Sequence, residues 1–252
     1  MSQPQLITLL SLPGIKAQST LRSLPPGQEP RGPYDGWSLC DYTGDSPRHT
    51  GACHHGLAHT LGATDDSIIA PRQTHSANAV AVDSPALLTD VDGLATRTPG
   101  LIIGVNTADC VPVVMADPVA RVVGVAHCGW RGALAGTHIN TLGRMAELGA
   151  HAGDIRVAFG PSICPDCFEV GPEVAEQFPA EVVIRRPEWP RPHVDLHRYL
   201  TLTLEANGIP ALNITPFDPG LCTRHHPVRF FSARASGVRS GRVFTFAYLD
   251  SV

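Results

Sequence analysis

The chain has 252 residues, of which 43% are hydrophobic and 17% are charged, and its formal net charge is −4. This is an ordinary globular composition, and it gives no electrostatic basis for binding nucleic acid or an anionic membrane surface. No apolar stretch approaches the roughly 20 residues that cross a bilayer, and the first residues lack the basic region and cleavage site of a signal peptide. An odd number of cysteines, seven, favours reduced thiols in a cytoplasm over a disulfide framework.

In chain order, a loop-rich N-terminal part (1–52) precedes a region in which short β-branched runs alternate with helical patterns. Strands are predicted at Leu101–Val105, Val111–Ala116, Val122–Ala126, Ile155–Phe159, Val182–Ile184, Asn213–Thr215, Arg229–Ser232 and Val243–Leu249. Helices are predicted at His54–Leu61, Ala133–Leu148, Val174–Phe178 and Leu196–Asn207. Gly149 and Gly208 lie where helix ends favour a left-handed residue. A single α/β domain over residues 1–252 is the simplest account.

Three segments each surround a residue that can bind a metal. They read RQTHSANAVAVD (72–83), LIIGVNTADCVPVVMADP (101–118) and VVGVAHCGWRGALAGTH (122–138), and they contain His75, Cys110 and His127. In the last two, the polar residue lies at or beside the end of an apolar run, where a buried strand would deliver it to a surface pocket. A thiolate and two imidazoles suit zinc, and three ligands leave the fourth tetrahedral position open, as in catalytic sites.

Each of these residues also has an ordinary structural interpretation. A single histidine is more often a satisfied buried or surface residue than a ligand, and a cysteine beside an apolar strand is usually a packing residue. The three are also too far apart in the sequence for one loop to hold a metal. Spacing alone therefore leaves both interpretations open.

Four longer runs resemble a known family. They are TADCVPVVMAD, GVAHCGWRGALAG, FGPSICPDCFEVGPEV and CTRHHPVRFFSARASGVRSGRVF, in the order and at about the spacing of the YfiH-type laccase-domain family. Its members are described as purine nucleoside phosphorylases, and many carry the older label multicopper polyphenol oxidoreductase. The resemblance extends from about Tyr34 to Leu249. It implies a YfiH-like fold of mixed β-sheets layered with helices.

The resemblance also implies a cofactor and a reaction. His75, Cys110 and His127 match the family's zinc ligands, which implies one zinc ion per chain at an active site that includes Cys110 and His127. Copper is less favoured, because the chain does not supply the ligands that several coppers require. The implied substrates are a purine nucleoside (adenosine, inosine or guanosine) and phosphate. Deamination of adenosine is a further implied activity of the same pocket.

Two residues next to these ligands are further candidates. Asp109 is interpreted as an acid or a supporting residue beside the metal, with a turn or cap residue as the alternative. Arg131, in the GWRG that follows His127, precedes a predicted helix, so its guanidinium and the helix-start amides could face an anion. A solvated surface arginine is the alternative at that position.

Three more residues are candidates for binding substrate or phosphate. Arg72 and Gln73 precede the first histidine, and Gln73 matches the Q-x-H of the family. Arg234 matches the first arginine of the family's FS-x-RR, although Ala235 replaces the second. Another departure lies near the N-terminus, where Cys53-His54 stands in place of an Asn-Arg pair. If that arginine contacts phosphate or substrate, the reaction or its rate differs here.

The remaining cysteine and histidine pairs receive structural interpretations. Cys164 and Cys167 form a CxxC, but no second CxxC exists, so packing and turn roles are favoured over a redox pair or half of a zinc site. His225 and His226 are adjacent and are expected at the surface.

Two alternatives to a zinc phosphorylase stay open. In the first, Cys110 is a nucleophile and His127 its base, acting on an amide such as a peptidoglycan fragment. In the second, the chain binds a nucleoside or a metal without catalysis. Metal occupancy separates the first alternative from the zinc enzyme, because a zinc-bound thiolate is a poor nucleophile.

Overall fold

A computed structural model describes residues 3–250 of the chain. Within that range the strands are β1 (Leu6–Leu12), β2 (Ile15–Thr20), β3 (Ile68–Ile69), β4 (Ala79–Ala81), β5 (Gly93–Thr96), β6 (Ile102–Thr107), β7 (Val111–Asp117), β8 (Val122–Cys128), β9 (Arg156–Phe159), β10 (Val183–Ile184), β11 (His193–Val194) and β12 (Val243–Leu249). The α-helices are α1 (Pro47–Leu61), α2 (Trp130–Ala135), α3 (Thr137–Glu147), α4 (Pro172–Ala175), α5 (Leu196–Ala206) and α6 (Ala233–Ser236). None of the described helices combines the length and apolar character needed to cross a membrane.

Two five-stranded sheets form the centre of the fold. Their strand orders are β1–β2–β12–β6–β3 and β4–β5–β8–β7–β9. Both sheets are mixed, because β3 runs parallel to β6 and β4 parallel to β5, whereas the other neighbours in each sheet are antiparallel. A separate antiparallel pair is formed by β10 and β11.

The inner faces of these two sheets share an apolar core. Strand β7 shows how the sequence produces it: Val114 and Ala116 pack into the core between the sheets, together with Val105 of β6. Val113 and Met115 pack on the opposite face, in the core that includes the helices. Because successive side chains of a strand point to opposite faces, a strand buried on both faces reads as a continuous apolar run.

Helices cover the outer faces. Leu142 and Met145 of α3 and Leu200 of α5 pack against the second sheet, and each such buried side chain contributes roughly 1.5–3 kcal/mol to the free energy of unfolding. Leu57 of α1 packs against Phe244 on the outer face of the first sheet. The layers are therefore helix, sheet, sheet, helix, and the predicted mixed α/β class is confirmed.

Most of the predicted elements are confirmed. Strands β6 to β9 lie where they are predicted with small shifts at their ends, β10 lies within the predicted Val182–Ile184, and β12 has the predicted bounds. Helix α5 ends one residue before its predicted end. Gly149 and Gly208 follow α3 and α5 with φ angles of +98° and +92°, so both end their helices in the left-handed conformation.

Two predicted strands are wrong. The segment Asn213–Thr215 contains the end of a 3₁₀ turn and makes a single isolated bridge to Val157 rather than a strand. The segment Arg229–Ser232 is the end of a turn followed by a bend and irregular backbone. The side chain of Ser232 accepts a hydrogen bond from the N–H of Ala235, which caps α6. Short apolar runs of this kind do not distinguish a strand from a packed turn.

Three predicted helices have different bounds. The helix expected at Ala133–Leu148 is two helices, because Gly136 has a φ of +83° and separates α2 from α3. The helix expected at His54–Leu61 begins earlier, at Pro47, whose ring fixes the φ angle that a first helical turn requires. The helix expected at Val174–Phe178 is instead α4, which begins at a proline and ends sooner.

The sequence analysis missed the N-terminal hairpin. Strands β1 and β2 are antiparallel, and β2 pairs with β12 in the middle of the first sheet. The turn between them contains Pro13 and Gly14, whose φ of +69° favours glycine. The loop-rich part expected at residues 1–52 therefore contains a hairpin, which a Pro-Gly turn signal indicates.

Gly104 in β6 gives a test of the packing between strands. A Cβ at this position would collide with the Phe244 ring and would lie 2.8 Å from Phe246 Cβ. Gly104→Ala is therefore expected to lower the free energy of unfolding by about 1–3 kcal/mol, as measured by denaturant titration.

The matched control is Gly143→Ala. Gly143 is exposed on α3 and has no atom within 4 Å of the position of a Cβ. This change should stabilise the protein by roughly 0.5–1 kcal/mol. Equal stabilities of the two variants would contradict the packing described for β6.

Candidate metal centre

Two strand ends and one loop bring the three predicted ligands together. Cys110 directly precedes β7, and His127 is the next-to-last residue of β8. The two strands are antiparallel neighbours, with Pro112 opposite His127, so the start of β7 meets the end of β8. His75 lies in the loop between β3 and β4. One ligand atom from each residue lies within 4.8 Å of the others, and Cys110 Sγ is 3.7 Å from His75 Nε2.

A buried carboxylate orders two of these segments. Asp92, which is fully buried just before β5, faces His127 Nδ1 at 2.7 Å. Its two oxygens also accept hydrogen bonds from three consecutive backbone N–H groups, those of Thr74 (3.1 Å), His75 (3.1 Å) and Ser76 (2.8 Å). One side chain therefore holds the loop of the first histidine and the ring of the second.

The ionisation of Asp92 fixes the role of each His127 nitrogen. Burial opposes the charged form, but hydrogen bonds from His127 and Ser76 outweigh it and lower the pKa of Asp92 to about 2. The carboxylate is thus an acceptor, so His127 Nδ1 donates and Nε2 is left for a ligand role. A carboxylate behind a histidine is the usual arrangement in protein metal sites.

The thiol of Cys110 is in a setting that favours the thiolate. Burial opposes its ionisation, but the imidazoles of His127 and His75 lower its pKa to about 6. Burial likewise opposes protonation of His127, but the Cys110 thiolate and the Asp92 carboxylate raise its pKa to about 9. Ionisation of Cys110 and protonation of His127 thus favour each other.

Gly129 leaves space beside these atoms. A Cβ on Gly129 would lie 2.8 Å from His75 Cδ2 and 3.0 Å from Cys110 Sγ. Its φ of −68° is open to any residue, so space rather than backbone conformation selects glycine here. The donor set and the adjacent space fit a zinc ion with three protein ligands and one open position.

Asp109 and Arg234 support the segment that carries Cys110. Asp109 has a φ of +87°, a conformation that side-chain-bearing residues rarely adopt. Its carboxylate accepts hydrogen bonds at 2.6 Å from the Thr223 hydroxyl and from the backbone N–H of Arg234. The Arg234 guanidinium donates to the carbonyl of Glu169 at 3.0 Å. Through these contacts, Asp109 and Arg234 hold the segment that carries Cys110 in place.

Gln73 is occupied with the backbone of β6. Its Nε2 donates to the Asn106 carbonyl at 2.9 Å, and its Oε1 accepts from the Asn106 N–H at 2.7 Å and from the Tyr42 hydroxyl at 3.2 Å. These contacts anchor the segment just before His75. Arg72 is exposed, and its guanidinium lies 5.8 Å from the Tyr42 ring.

Arg131 lies on a shorter helix than expected. Arg131 lies within the six-residue helix α2, and the long helix that was expected to follow it is divided into α2 and α3. The guanidinium is exposed and lies 4.1 Å from the centre of the Trp130 ring. It lies four residues after His127 in the sequence, and its contact with an anion stays a prediction.

Asp92 is the residue of the centre that the sequence analysis missed. It lies in TDVDGLAT, where an acidic residue precedes an apolar run in the same way as the candidates that were identified. Asp90, in the same stretch, is an exposed loop residue, and local sequence does not distinguish the two. The partners that define the role of Asp92 come from two other segments of the chain.

Comparison with known proteins gives relatives of nearly full length. A family model described as multi-copper polyphenol oxidoreductase laccase matches residues 26–250. A protein named adenosine deaminase RL5, from an unknown prokaryotic organism, is 41% identical over 94% of this chain and 95% of that protein. A purine nucleoside phosphorylase of Deinococcus radiodurans is 36% identical over 84% of this chain and 82% of its own length.

Solved structures share the fold. The YfiH protein of Bacillus licheniformis superimposes with a TM-score of 0.84 at 26% identity, covering 94% of this chain and 93% of that one. YlmD from Geobacillus stearothermophilus gives a TM-score of 0.82 at 29% identity, with the same coverage of 94% and 93%. The chain therefore belongs to the multi-copper polyphenol oxidoreductase laccase family, the YfiH-type laccase-domain family that its motifs resemble.

Proposed function

We propose that this chain is a zinc-dependent enzyme that acts on purine nucleosides, and that phosphorolysis of adenosine, inosine and guanosine is its main reaction. The observation that carries the proposal is the three-ligand centre of His75, Cys110 and His127, against which Gly129 packs without a side chain. The names of several relatives, among them the phosphorylase of Deinococcus radiodurans, support the choice of reaction. The free thiols of all seven cysteines fit the reducing cytoplasm that we propose as its compartment.

Zinc fits the centre better than a set of coppers. Phenol oxidation by a multicopper enzyme requires a cysteine-histidine copper site and further histidine-rich copper clusters. Among residues 3–250, the grouped potential ligands form this centre and one other group, and that group has three cysteines and a single histidine. A zinc ion held by the centre would supply Lewis acidity at its open position.

Phosphorolysis sets three tasks for the protein. A phosphate oxygen attacks C1′ of the ribose while the bond from C1′ to the purine nitrogen breaks, and the purine leaves with the electron pair and takes up a proton. Phosphate must be held, the nucleoside oriented and the developing charges matched by fixed groups. Arg131 and Arg72 are the proposed phosphate contacts, because each is exposed and close in sequence to a metal ligand.

A pocket beside Arg72 is the proposed nucleoside site. Tyr42, His54, Arg72 and Asn106 contribute to its lining. Within the described structure, the buried Oδ1 of Asn106 has no hydrogen-bond partner, so it can accept from a hydroxyl or amino group of a ligand. His54 occupies the position at which the family has an arginine, so the pocket here offers an imidazole instead.

Asp109, Gln73 and Arg234 are proposed to act by positioning. The carboxylate of Asp109 is engaged by the Thr223 hydroxyl and a backbone N–H, which favours holding Cys110 over proton transfer. Gln73 fixes the loop segment that leads to His75.

Deamination of adenosine is the second candidate reaction. It is favoured by the relative named adenosine deaminase, which aligns with almost the whole chain at 41% identity. In this reaction the oxygen of water adds to C6 of the purine and ammonia leaves. The same centre would serve, whereas the phosphate contacts would not be needed.

Product analysis with and without phosphate tests the proposal. Zinc-loaded protein is incubated with adenosine, with and without phosphate, and the products are resolved by chromatography. Phosphorolysis gives adenine and ribose 1-phosphate only when phosphate is present, whereas deamination gives inosine in both cases. Cys110→Ser should abolish either reaction. Copper-dependent oxidation of a phenol that requires Cys110, without nucleoside turnover, would overturn the proposal.

The ionic state of Cys110 and His127 also suits a thiol nucleophile without metal. A lowered thiol pKa beside a protonated imidazole is the arrangement that nucleophilic cysteines use. The effect of added zinc distinguishes the two mechanisms, because zinc should activate a zinc enzyme and inhibit a cysteine amide hydrolase. Ligand-induced stabilisation without any product would instead indicate a binding protein.

Removal of the Asp92 charge tests how the centre is held. Asp92→Asn replaces one accepting oxygen by an amide that faces backbone N–H groups, so the loop of His75 and the ring of His127 lose their common anchor. Zinc affinity at the centre should fall about 10–100-fold in a competition titration with a chelator. Asp90→Asn is the control, because Asp90 contacts Thr74 and Asn78 but neither histidine. Equal zinc affinities of the two variants would remove Asp92 from the account.

Arg131→Ala tests the phosphate contact. Loss of charge-assisted hydrogen bonds should raise the KM for phosphate by an amount equivalent to about 1.5–3 kcal/mol, with a smaller effect on the KM for nucleoside. Arg144→Ala is the control, since Arg144 is an exposed arginine paired with Glu147 on α3. Steady-state kinetics in both substrates makes the measurement. An unchanged phosphate dependence in Arg131→Ala would exclude this residue from phosphate binding.

A further inference from the structure

A second group of metal-binding side chains lies outside the centre described above. Cys164, Cys167, Cys222 and His225 each offer one ligand atom, and these atoms lie within 4.8 Å of one another. Cys167 Sγ is 3.1 Å from His225 Nε2, and Cys164 Sγ is 3.8 Å from His225 Nδ1. Cys222 Sγ accepts the N–H of Cys164 at 3.4 Å. Four soft ligands thus converge from two distant segments.

The expected structural roles of these residues are therefore incomplete. Cys164 and Cys167 do bracket a turn, the 3₁₀ helix Pro165–Cys167, and His225 is at the surface, as predicted. However, the ring of His225 contacts two of the thiols instead of solvent alone. The sequence reads C-P-D-C in one segment and C-T-R-H in the other, so the partner of the CxxC is a C-x-x-H. The second half of the group therefore does not have the CxxC pattern.

Both segments have the local structure of metal-binding turns. In the first, the N–H groups of Cys167 and Phe168 each donate to the carbonyl of Cys164 at 3.0 Å. In the second, the N–H of His226 donates to the carbonyl of Cys222 at 3.1 Å. Each turn therefore directs its two ligand side chains to the same side, which is the purpose of the two-residue spacing in structural zinc sites.

The three sulfur atoms of the group lie close together, within 4.8 Å of one another. Three thiols this close cannot ionise together unless a positive charge offsets their repulsion, and a bound divalent cation deprotonates its thiol ligands.

We propose that Cys164, Cys167, Cys222 and His225 bind a second metal ion, a structural zinc in a closed tetrahedral Cys3His site. Zinc–sulfur bonds of about 2.3 Å and zinc–nitrogen bonds of about 2.0–2.1 Å bring tetrahedral ligand atoms to about 3.5–3.8 Å from one another. The group reaches this spacing by small side-chain movements. Four protein ligands leave no open position, so this ion stabilises structure and takes no part in chemistry. The protein would then hold two zinc ions per chain.

The position of the group gives the ion a structural task. It joins the segment after β9 to the loop before α6, and these two also meet where Thr223 N–H donates to the Ser162 carbonyl at 3.0 Å. Thr223 holds the Asp109 carboxylate, and Ile163 N–H donates to the Asp109 carbonyl at 2.9 Å. The second ion would therefore hold in place the two segments that contact Asp109, the residue before Cys110. The site stands independently of the reaction that the first centre performs.

Metal analysis of matched variants tests the proposal. Protein purified under reducing conditions is analysed for zinc per chain. Wild-type protein and His226→Ala should contain two zinc ions, and Cys167→Ser, His225→Ala and Cys110→Ser one each. The double variant Cys110→Ser/Cys167→Ser should contain none. His226 is the control because it neighbours His225 but lies outside the group.

Cobalt substitution gives a spectroscopic test in which Cys164, Cys167 and Cys222 stay unchanged. Cobalt-loaded Cys110→Ser protein should still show thiolate-to-metal charge-transfer absorption and the visible bands of tetrahedral cobalt, and His225→Ala should weaken them. Absence of these bands in Cys110→Ser, or a wild-type protein with one zinc that Cys167→Ser leaves in place, would overturn the proposal. A Cys164–Cys167 or Cys164–Cys222 disulfide in the reduced preparation, found by mass spectrometry, would overturn it as well.

Discussion

The hydrogen bonds to the Asp92 carboxylate are the interaction on which the centre depends. A fully buried carboxylate is unfavourable unless it is paired and hydrogen-bonded. Here three backbone N–H groups, the Ser76 hydroxyl and His127 Nδ1 all reach it. The same contacts hold His75 at a φ of +63°, which few side-chain-bearing residues adopt. Loss of the carboxylate would leave these donors unpaired and release both histidines together.

The three residues of the centre are positioned in two ways, by strand pairing and by hydrogen bonds to loop segments. Strands β7 and β8 are buried on both faces and place Cys110 and His127 at adjoining ends, so their relative position follows from the register of the sheet. The loop with His75 has no such register and relies on Asp92. The segment before Cys110 relies on Asp109, whose contacts to Thr223 and Arg234 join it to the C-terminal region. Three distant parts of the chain thus meet at one centre.

The sequence predicts what is encoded locally. Continuous apolar runs identify β7, β8 and β12, and the polar residues at two strand ends, with the family resemblance, lead to the proposed ligand trio. Asp92 escapes prediction because its partners come from other segments, and nothing in its neighbourhood separates it from Asp90. The cysteine group escapes because its second half ends in His225 rather than in a cysteine. Gly136 divides one expected helix because a glycine within a helical pattern does not reveal its φ angle.

The central claim is that His75, Cys110 and His127 form one open zinc centre that is ordered by Asp92. Anomalous diffraction at the zinc edge from crystals of the zinc-loaded protein tests it directly. The account predicts a peak about 2.3 Å from Cys110 Sγ and about 2.0–2.1 Å from one nitrogen each of His75 and His127. His127 Nδ1 should still donate its hydrogen bond to Asp92. Crystals with no anomalous peak at these atoms, or with a peak bound by four protein ligands there, would contradict it.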